Sequence, residues 1–344
     1  MMQRSLVLSL LIICLAIPIQ AQKKDKSSRK RTERGQTAGE VDTIKYSNGV
    51  RYIGEVLDGR PHGEGLLVSP DGDTLYLGGY QNGKRHGKGT YHFKNGNMYA
   101  GDWKQNIMEG SGSMYFAKTG DMYTGSWIND RRQGTGKYTY ADGSIYEGEF
   151  KDGVKHGQGS LTRTNQSYVG GWVEGQKTGT GYQVMMGGDH MEEYRGEFYL
   201  GRYHGQGSWR YEKDTVITEY IGNWVEGKRV GRGTYVISGR TFEGVWRENE
   251  ATGKGVCQIE EGLYEGEFRR GFFHGEGVFT FTNGDRYEGE WVRGRRQGYG
   301  VLSYYDGSKY DGNWYMDMKN GSGTIIKANG ERVTAQFRDN KRLD

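Results

Sequence analysis

Cysteine and proline are scarce in this sequence, and each shortage excludes a class of protein. The 344 residues contain 2 cysteines and 3 prolines. Cys14 lies in an apolar run near the N-terminus, so Cys257 would be the one thiol left after removal of that run, and no disulfide framework can form. A lone thiol without a dependable histidine partner is a weak nucleophile candidate. With so little proline, the 60 glycines do not indicate collagen.

Aliphatic residues are also too few for a thick core. Hydrophobic residues make up 34% of the chain, and 26 tyrosines, 11 phenylalanines and 8 tryptophans supply much of that share. A chain of this length would ordinarily fold as two globular domains. Evenly spaced aromatics argue against disorder. We therefore expect an ordered protein whose core is thin and repetitive.

The N-terminus has the parts of a secretory signal. Arg4 precedes an apolar run over 6–17, which is followed by Pro18 and ends at the small residue Ala21. The run is shorter than the roughly 20 residues that a membrane-spanning helix needs, although an uncleaved anchor is the alternative. We predict a signal peptide over 1–21 and an exported protein that is periplasmic, envelope-associated or secreted.

A basic segment follows the predicted signal. Residues 22–39 hold seven Lys or Arg against two Asp or Glu and no aromatic, whereas 40–344 is near neutral. This composition predicts a disordered basic linker over 22–43, which either is a solvated spacer or makes weak contacts with an anionic membrane surface. In an exported protein, nucleic acid is not an expected partner. The candidate polyanion contacts are Lys23, Lys24, Lys26, Arg29, Lys30 and Arg31.

The remainder of the chain consists of one sequence pattern that is repeated twelve times. Each copy has an aromatic residue, glycine two residues later, a second aromatic four residues after the first, and then a Gly-x-Gly pair; Val56 is the one exception in the second aromatic slot. The period is 22 to 26 residues, which indicates a repeat protein. The copies begin at Tyr52, Tyr76, Tyr99, Tyr123, Tyr146, Tyr168, Tyr194, Tyr220, Phe242, Tyr264, Tyr287 and Tyr310.

Each copy predicts one antiparallel hairpin. Residues i, i+2 and i+4 of a strand share a face, so the aromatic, the glycine and the second aromatic lie on one side. A second strand starts at Gly-x-Gly and closes at pairs such as Asn95-Gly96 or Asp142-Gly143. A lone hairpin is marginal in water, so the copies must stack edge to edge. The glycine is then a socket that a neighbouring ring fills.

The pattern Y-x-G-x-[WF]-x-x-G-x-x-x-G-x-G resembles the MORN (membrane occupation and recognition nexus) repeat. YEGEFKDGVKHGQG at 146–159 and YEGEWVRGRRQGYG at 287–300 carry the resemblance most fully, and it covers residues 50–323. It implies an all-β fold: a single-layer antiparallel β-hairpin solenoid forming an elongated twisted sheet. We place twelve repeats over 44–332 and a degenerate half-repeat over 333–344 as a C-terminal cap. Four repeats replace the turn glycine, with Asn106, Asp130, Asn249 and Asp317.

No catalytic constellation is found. GGYQNGKR (78–85) and GNWVEGKR (222–229) have Arg where a P-loop needs Ser or Thr, and no helix follows them. One histidine per repeat, spaced about 10 Å apart, cannot converge on a zinc ion. Pairs such as Glu147 and Glu149 recur on the side away from the rings, which indicates solvated surface. We expect no enzyme activity, cofactor, metal or small-molecule substrate.

The aromatic face is the candidate site. Its rings either are only the thin core or also line a face for ligands. The resemblance implies an interaction module, so we expect a scaffold that binds a protein partner or assembles with itself. The alternatives are association with membrane or cell-surface anionic lipid, and cell-wall carbohydrate binding. The candidate contacts are Tyr99, Trp103, Tyr123, Trp127, Tyr146, Phe150, Tyr168, Trp172, Tyr220, Trp224, Tyr287, Trp291, Tyr310 and Trp314.

Overall fold

The computed structural model describes residues 39–343, which form 27 β-strands and no helix. The predicted signal peptide and residues 22–38 of the predicted linker lie outside the described residues. The strands are β1 (Glu40–Lys45), β2 (Arg51–Leu57), β3 (Arg60–Val68), β4 (Thr74–Gln81), β5 (Lys84–His92), β6 (Met98–Lys104), β7 (Ile107–Phe116), β8 (Asp121–Ile128), β9 (Arg131–Thr139), β10 (Ile145–Lys151), β11 (Val154–Arg163), β12 (Gln166–Val173), β13 (Gln176–Met186), β14 (His190–Tyr199), β15 (Arg202–Lys213), β16 (Val216–Val225), β17 (Lys228–Ile237), β18 (Arg240–Arg247), β19 (Glu250–Ile259), β20 (Gly262–Arg269), β21 (Phe272–Phe281), β22 (Arg286–Val292), β23 (Arg295–Ser303), β24 (Lys309–Tyr315), β25 (Met318–Ile326), β26 (Arg332–Arg338) and β27 (Lys341–Arg342).

All strands belong to one open antiparallel sheet, in which each strand pairs with the next one along the chain. Each predicted copy contributes two strands: in the fifth copy, for example, β10 carries the two aromatics and β11 carries Gly-x-Gly. The sheet has a single layer of buried aromatic side chains on one side. The prediction of an all-β hairpin solenoid is confirmed.

The first strand corrects the predicted end of the linker. The composition places residues 40–43 in the linker, but they lie in β1, which pairs with β2 from Glu40 opposite Val56 to Lys45 opposite Arg51. Ile44 packs against the aromatic layer while most other side chains of β1 are exposed. The segment has no aromatic and no Gly-x-Gly, so its strand conformation comes from pairing with β2 rather than from its own pattern.

The last strands form the C-terminal half-copy. β26 pairs with β25, and Phe337 takes the second aromatic slot, 4% exposed, with its ring 5.2 Å from that of Tyr310. Ala335 is opposite Gly323, where complete copies pair two glycines. β27 pairs with only two residues of β26. β27 therefore covers only the last two residues of β26, and the rest of the outer edge of β26 pairs with no strand within residues 39–343.

The turn inside each copy needs two residues with positive φ, the geometry of a type I′ turn. In the fifth copy these are Asp152 (φ 50°) and Gly153 (φ 86°). Asparagine and aspartate enter this region more readily than other non-glycine residues. The four copies without turn glycine therefore use Asn or Asp at φ between 63° and 75°, at Asn106, Asp130, Asn249 and Asp317.

Candidate functional site

The first aromatic of each copy fills a glycine socket. Tyr168 is 1% exposed, and its hydroxyl donates a hydrogen bond to the Gly171 carbonyl at 3.0 Å. A Cβ atom on Gly181, which is paired with Gly170 across the strands, would lie 2.7 Å from the Tyr168 hydroxyl oxygen. Burial raises the pKa of Tyr168 to about 12. The predicted socket is confirmed, because the ring occupies the space that a side chain at 181 would need.

The second aromatic joins neighbouring copies. The Trp172 indole N–H donates to the carbonyl of Gly159 in the preceding copy at 3.1 Å. Its ring meets those of Tyr146 and Tyr168 edge to face, at centroid distances of 5.3 and 5.2 Å. Seven tryptophans make the same backbone hydrogen bond. Alternating first and second aromatics thus form a continuous edge-to-face series through the stacked copies.

Of the two alternatives for these rings, only the core or also a face for ligands, their burial favours the core. None of the fourteen candidate side chains is more than 5% exposed: Tyr99, Trp103, Tyr123, Trp127, Tyr146, Phe150, Tyr168, Trp172, Tyr220, Trp224, Tyr287, Trp291, Tyr310 and Trp314. An aromatic-rich face exists, but its rings are the protein's core. A partner that approaches this side of the sheet meets the residues that cover the rings.

The covering residues occupy one position in each copy, directly across the hairpin from the second aromatic; we call it the cover position. The Arg85 guanidinium lies 4.1 Å from the ring of Trp103. Tyr203 and Phe273 occupy the same position and stack on first-slot tyrosines at 3.8 Å. Seven cover residues are cations over rings, at Arg85, Arg132, Lys155, Lys177, Arg229, Arg296 and Lys319.

We expect Lys177→Met to stabilise the fold at about pH 7, by about 1 kcal/mol, and the gain to shrink toward about pH 10. Burial, and then the charges of Arg163 and Lys155, lower the pKa of Lys177 to about 8. The pKa of a lysine in the unfolded chain is about 10.4. Between these two pKa values the unfolded chain binds more protons than the folded chain does. The stability of the wild type therefore rises with pH in this range. Methionine should fit at position 177, because Met108 fills the cover position of the third copy.

Urea unfolding of both proteins at the two pH values measures this effect. A difference in unfolding free energy that stays constant with pH would show that Lys177 carries no burial penalty. Ionisation of exposed tyrosines is common to the two proteins and cancels in the comparison.

The side of the sheet away from the rings, which we call the open face, is exposed. Leu77, Val169 and Ile221 lie there with 57%, 57% and 62% of their surface accessible. The carboxylates of Glu149 and Glu290 also lie there, and they accept hydrogen bonds from the backbone N–H groups of residues 158 and 299 at 2.8 and 2.9 Å. These carboxylates therefore hold the irregular backbone at Gly-x-Gly as well as facing solvent.

A groove of about 1020 Å³ runs along the open face over β15 to β22. Its aliphatic lining includes Ile221, Val245, Val256 and Val278. Arg232 and Lys254 are its only cationic lining residues. Five carboxylates outnumber them, from Glu243, Glu265, Glu267, Glu276 and Glu288. The groove thus combines apolar surface with net negative charge.

Metal ligands are not assembled in the part of the chain that the structure describes. Over residues 39–343, no three His, Cys, Asp or Glu side chains are placed to hold a metal ion. Cys257 is half-buried, and burial raises the pKa of its thiol, which disfavours the reactive thiolate.

The candidate polyanion contacts, Lys23, Lys24, Lys26, Arg29, Lys30 and Arg31, lie outside the described residues. Over 39–343, the structure contains no helix with the length and apolar composition needed to cross a membrane.

Comparison with protein families gives one match over most of the chain. The family model described as "MORN repeat" matches twelve consecutive segments, each starting at the first aromatic of one of the twelve copies. The matched residues are 52–74, 76–98, 99–120, 123–145, 146–167, 168–184, 194–216, 220–238, 242–263, 264–286, 287–309 and 310–332.

Comparisons with individual proteins add little. No curated protein matches this chain significantly. A solved structure titled "Streptogramin B lyase structure" matches at 10% identity over 87% of this chain and 83% of that chain, with a TM-score of 0.13. This score is too low to support any argument about fold or activity.

Proposed function

The chain belongs to the MORN repeat family, and from this premise we propose that it is an exported, non-catalytic scaffold that binds a protein partner or a second copy of itself. Family membership supports the role of a repeat scaffold. The composition of residues 1–21 supports export. The absence of a catalytic grouping in the sequence pattern supports a role in binding rather than in chemistry.

The observation that carries the proposal is the difference between the two faces of the sheet. On the ring side, the aromatics are covered and serve as the core. On the open face, Leu77, Val169 and Ile221 are more than half exposed, and the groove over β15 to β22 is continuous across neighbouring copies. Exposed apolar surface rimmed by charge is a feature of interaction sites, and repeat proteins use such extended concave surfaces for binding. The groove therefore replaces the predicted aromatic contacts as the proposed site.

The lining of the groove indicates the chemistry of its partner. Five glutamates against one arginine and one lysine favour a basic partner. Ile221 and Val256, which are 62% and 37% exposed, offer apolar contacts among these charges. We propose that the occupant is a protein segment that carries both lysine or arginine and aliphatic side chains.

Charge reversal tests this site. We expect Glu276→Lys to weaken capture of the partner by about tenfold, because it places a cation opposite a basic segment. Glu64→Lys is the matched control, since Glu64 occupies the same position between the two glycines in the first copy, outside the groove. The measurement is affinity purification of cross-linked, tagged protein from its native envelope fraction, followed by titration of the recovered partner.

Two results would argue against the proposed groove. Equal binding by both variants and the wild type would remove it from the interface. Equal loss in both variants would indicate a diffuse electrostatic effect of the whole sheet. Circular dichroism and urea unfolding would first establish that each variant is folded.

The alternative function, association with anionic lipid, depends on the basic residues within 22–39. We expect any binding to anionic liposomes to disappear when these residues are deleted or when ionic strength is raised, because the remainder of the chain is near neutral. Co-sedimentation with liposomes at low and high salt measures this. Binding by residues 40–344 that persists at high salt would contradict the expectation. For carbohydrate, the candidate rings are too buried to stack against a sugar.

A further inference from the structure

A second cavity lies on the ring side of the sheet, opposite the open face and separate from the groove. It has a volume of about 340 Å³ and is lined from β11, β12 and β13, from the turn between β12 and β13, and from the turn between β14 and β15. Trp172 and Leu161 form apolar parts of its wall. Three cations line it as well, Lys155, Arg163 and Lys177.

These three cations lack a carboxylate partner. No ion pair within residues 39–343 includes any of them, although twelve other pairs form. Lys177 donates a hydrogen bond to the neutral amide oxygen of Gln183, and the Lys155 ammonium lies 4.9 Å from the Trp172 ring centroid. Hydrogen bonds from Ser144, whose N–H donates at 2.8 Å, and then the charge of Arg163 lower the pKa of Asp142, although Asp142 and Arg163 form no ion pair. Among the residues that line the cavity, no carboxylate balances these three positive charges.

The sequence shows why the cavity opens at this copy. Arg163 follows the second glycine of Gly-x-Gly by four residues, a position that is aromatic in half of the copies, as at Phe93, Phe116 and Tyr140. In the twelfth copy the same position is Lys327, but that lysine pairs with Glu331 at 2.8 Å. Arg163 thus replaces an outer ring of the aromatic layer with a cation that has no such partner.

We propose that this cavity binds a tetrahedral oxyanion, the phosphate or sulfate of an ester or of the free ion. Two lysines and one arginine around a partly enclosed space supply donors and charge suited to such a group. The depressed pKa of Lys177, caused first by burial and then by Arg163 and Lys155, is consistent with cations held together without an anion. The volume of about 340 Å³ leaves room for part of the group that carries the phosphate or sulfate.

Isothermal titration of the full-length protein with inorganic phosphate, sulfate and a sugar phosphate, at constant ionic strength, tests the proposal. We expect binding to the wild type, and binding about tenfold weaker in Arg163→Tyr and in Lys177→Met. Tyrosine is the natural residue at the position of Arg163 in the fourth copy, and methionine is the natural cover residue of the third, so both variants should fold. Lys319→Met is the matched control, because Lys319 lies 4.8 Å from the Tyr310 ring as Lys177 lies 4.8 Å from that of Tyr168.

Co-sedimentation with vesicles that contain phosphatidic acid separates the sources of the anion. Vesicle binding that survives deletion of residues 22–39 and falls in Arg163→Tyr but not in Lys319→Met would support a lipid phosphate as ligand, and it would overturn the expectation above that residues 22–39 carry all liposome binding. Titration by the soluble anions alone supports a free ion or a soluble ester. Two results would overturn the proposal: no binding of any probe to the wild type, or equal binding by wild type, Arg163→Tyr and Lys177→Met.

Discussion

Replacing Trp172 by alanine is expected to destabilise the junction between the fifth and sixth repeats by about 4 kcal/mol, because the change leaves a large cavity in a core that is one side chain thick. Trp172 contacts the rings of Tyr146 and Tyr168 and donates to the Gly159 carbonyl. Since stacked repeats contact only their neighbours, the loss should be local. Hydrogen exchange followed by mass spectrometry should show faster opening of β10 to β13 than of distant strands.

Trp172→Phe is the control. Phenylalanine occupies this slot naturally at Phe150, Phe198 and Phe268, so the ring contacts should persist and only the indole hydrogen bond should be lost. We expect Trp172→Phe to lower the stability of the junction by about 1 kcal/mol. Equal exchange rates in Trp172→Ala, Trp172→Phe and the wild type would show that the aromatic series does not couple the repeats.

Gly181→Ala is expected to lower the free energy of unfolding by about 3 kcal/mol, although it adds a single methyl group. The new Cβ would lie 2.7 Å from both the hydroxyl oxygen and a ring carbon of Tyr168, and so the ring must leave its socket and lose its hydrogen bond to Gly171. Gly188→Ala is the matched control, because no atom lies within 4 Å of a Cβ there and its φ is not left-handed. Urea unfolding and hydrogen exchange of β12 and β13 measure the difference.

A result in which Gly181→Ala and Gly188→Ala cost the same would contradict the socket. It would mean that the conserved spacing of rings and glycines within the chain reflects backbone conformation only. Tyr168→Phe, which keeps the ring and removes the hydroxyl, separates the two contributions at this socket and should cost about 1 kcal/mol.

The repeat pattern predicts most of the fold because its positions carry strong local information. Aromatic, glycine and aromatic at period two specify both a strand and its buried side, and the second position of the turn holds only Gly, Asn or Asp, each at positive φ. β1 carries neither signal, and its pairing with β2 became evident only in the structure. Short edge strands of this kind depend on a neighbour rather than on their own residues.

The candidate site was harder to predict, for a physical reason. The spacing identifies which residues share the ring side, but it does not show what shields them from solvent. Arg85 and Lys177 follow a turn and read as ordinary surface cations, yet each lies over rings of its own and the next repeat. The sequence does contain one signal for these covering residues. A cation, or the aromatic Tyr203, recurs two residues after the second residue of the turn in most repeats. The groove depends on the shape of the sheet over several repeats, which the sequence pattern does not encode.

The central claim, that the protein binds its partner through the groove on the open face, is tested most directly by carboxylate footprinting. The chain is labelled with a carbodiimide and an amine, free and in complex with its captured partner, and labelling at each carboxylate is quantified by mass spectrometry. We predict that labelling of Glu265, Glu276 and Glu288 falls in the complex while that of Glu64 is unchanged. Unchanged labelling along the groove, with protection elsewhere on the sheet, would contradict the account.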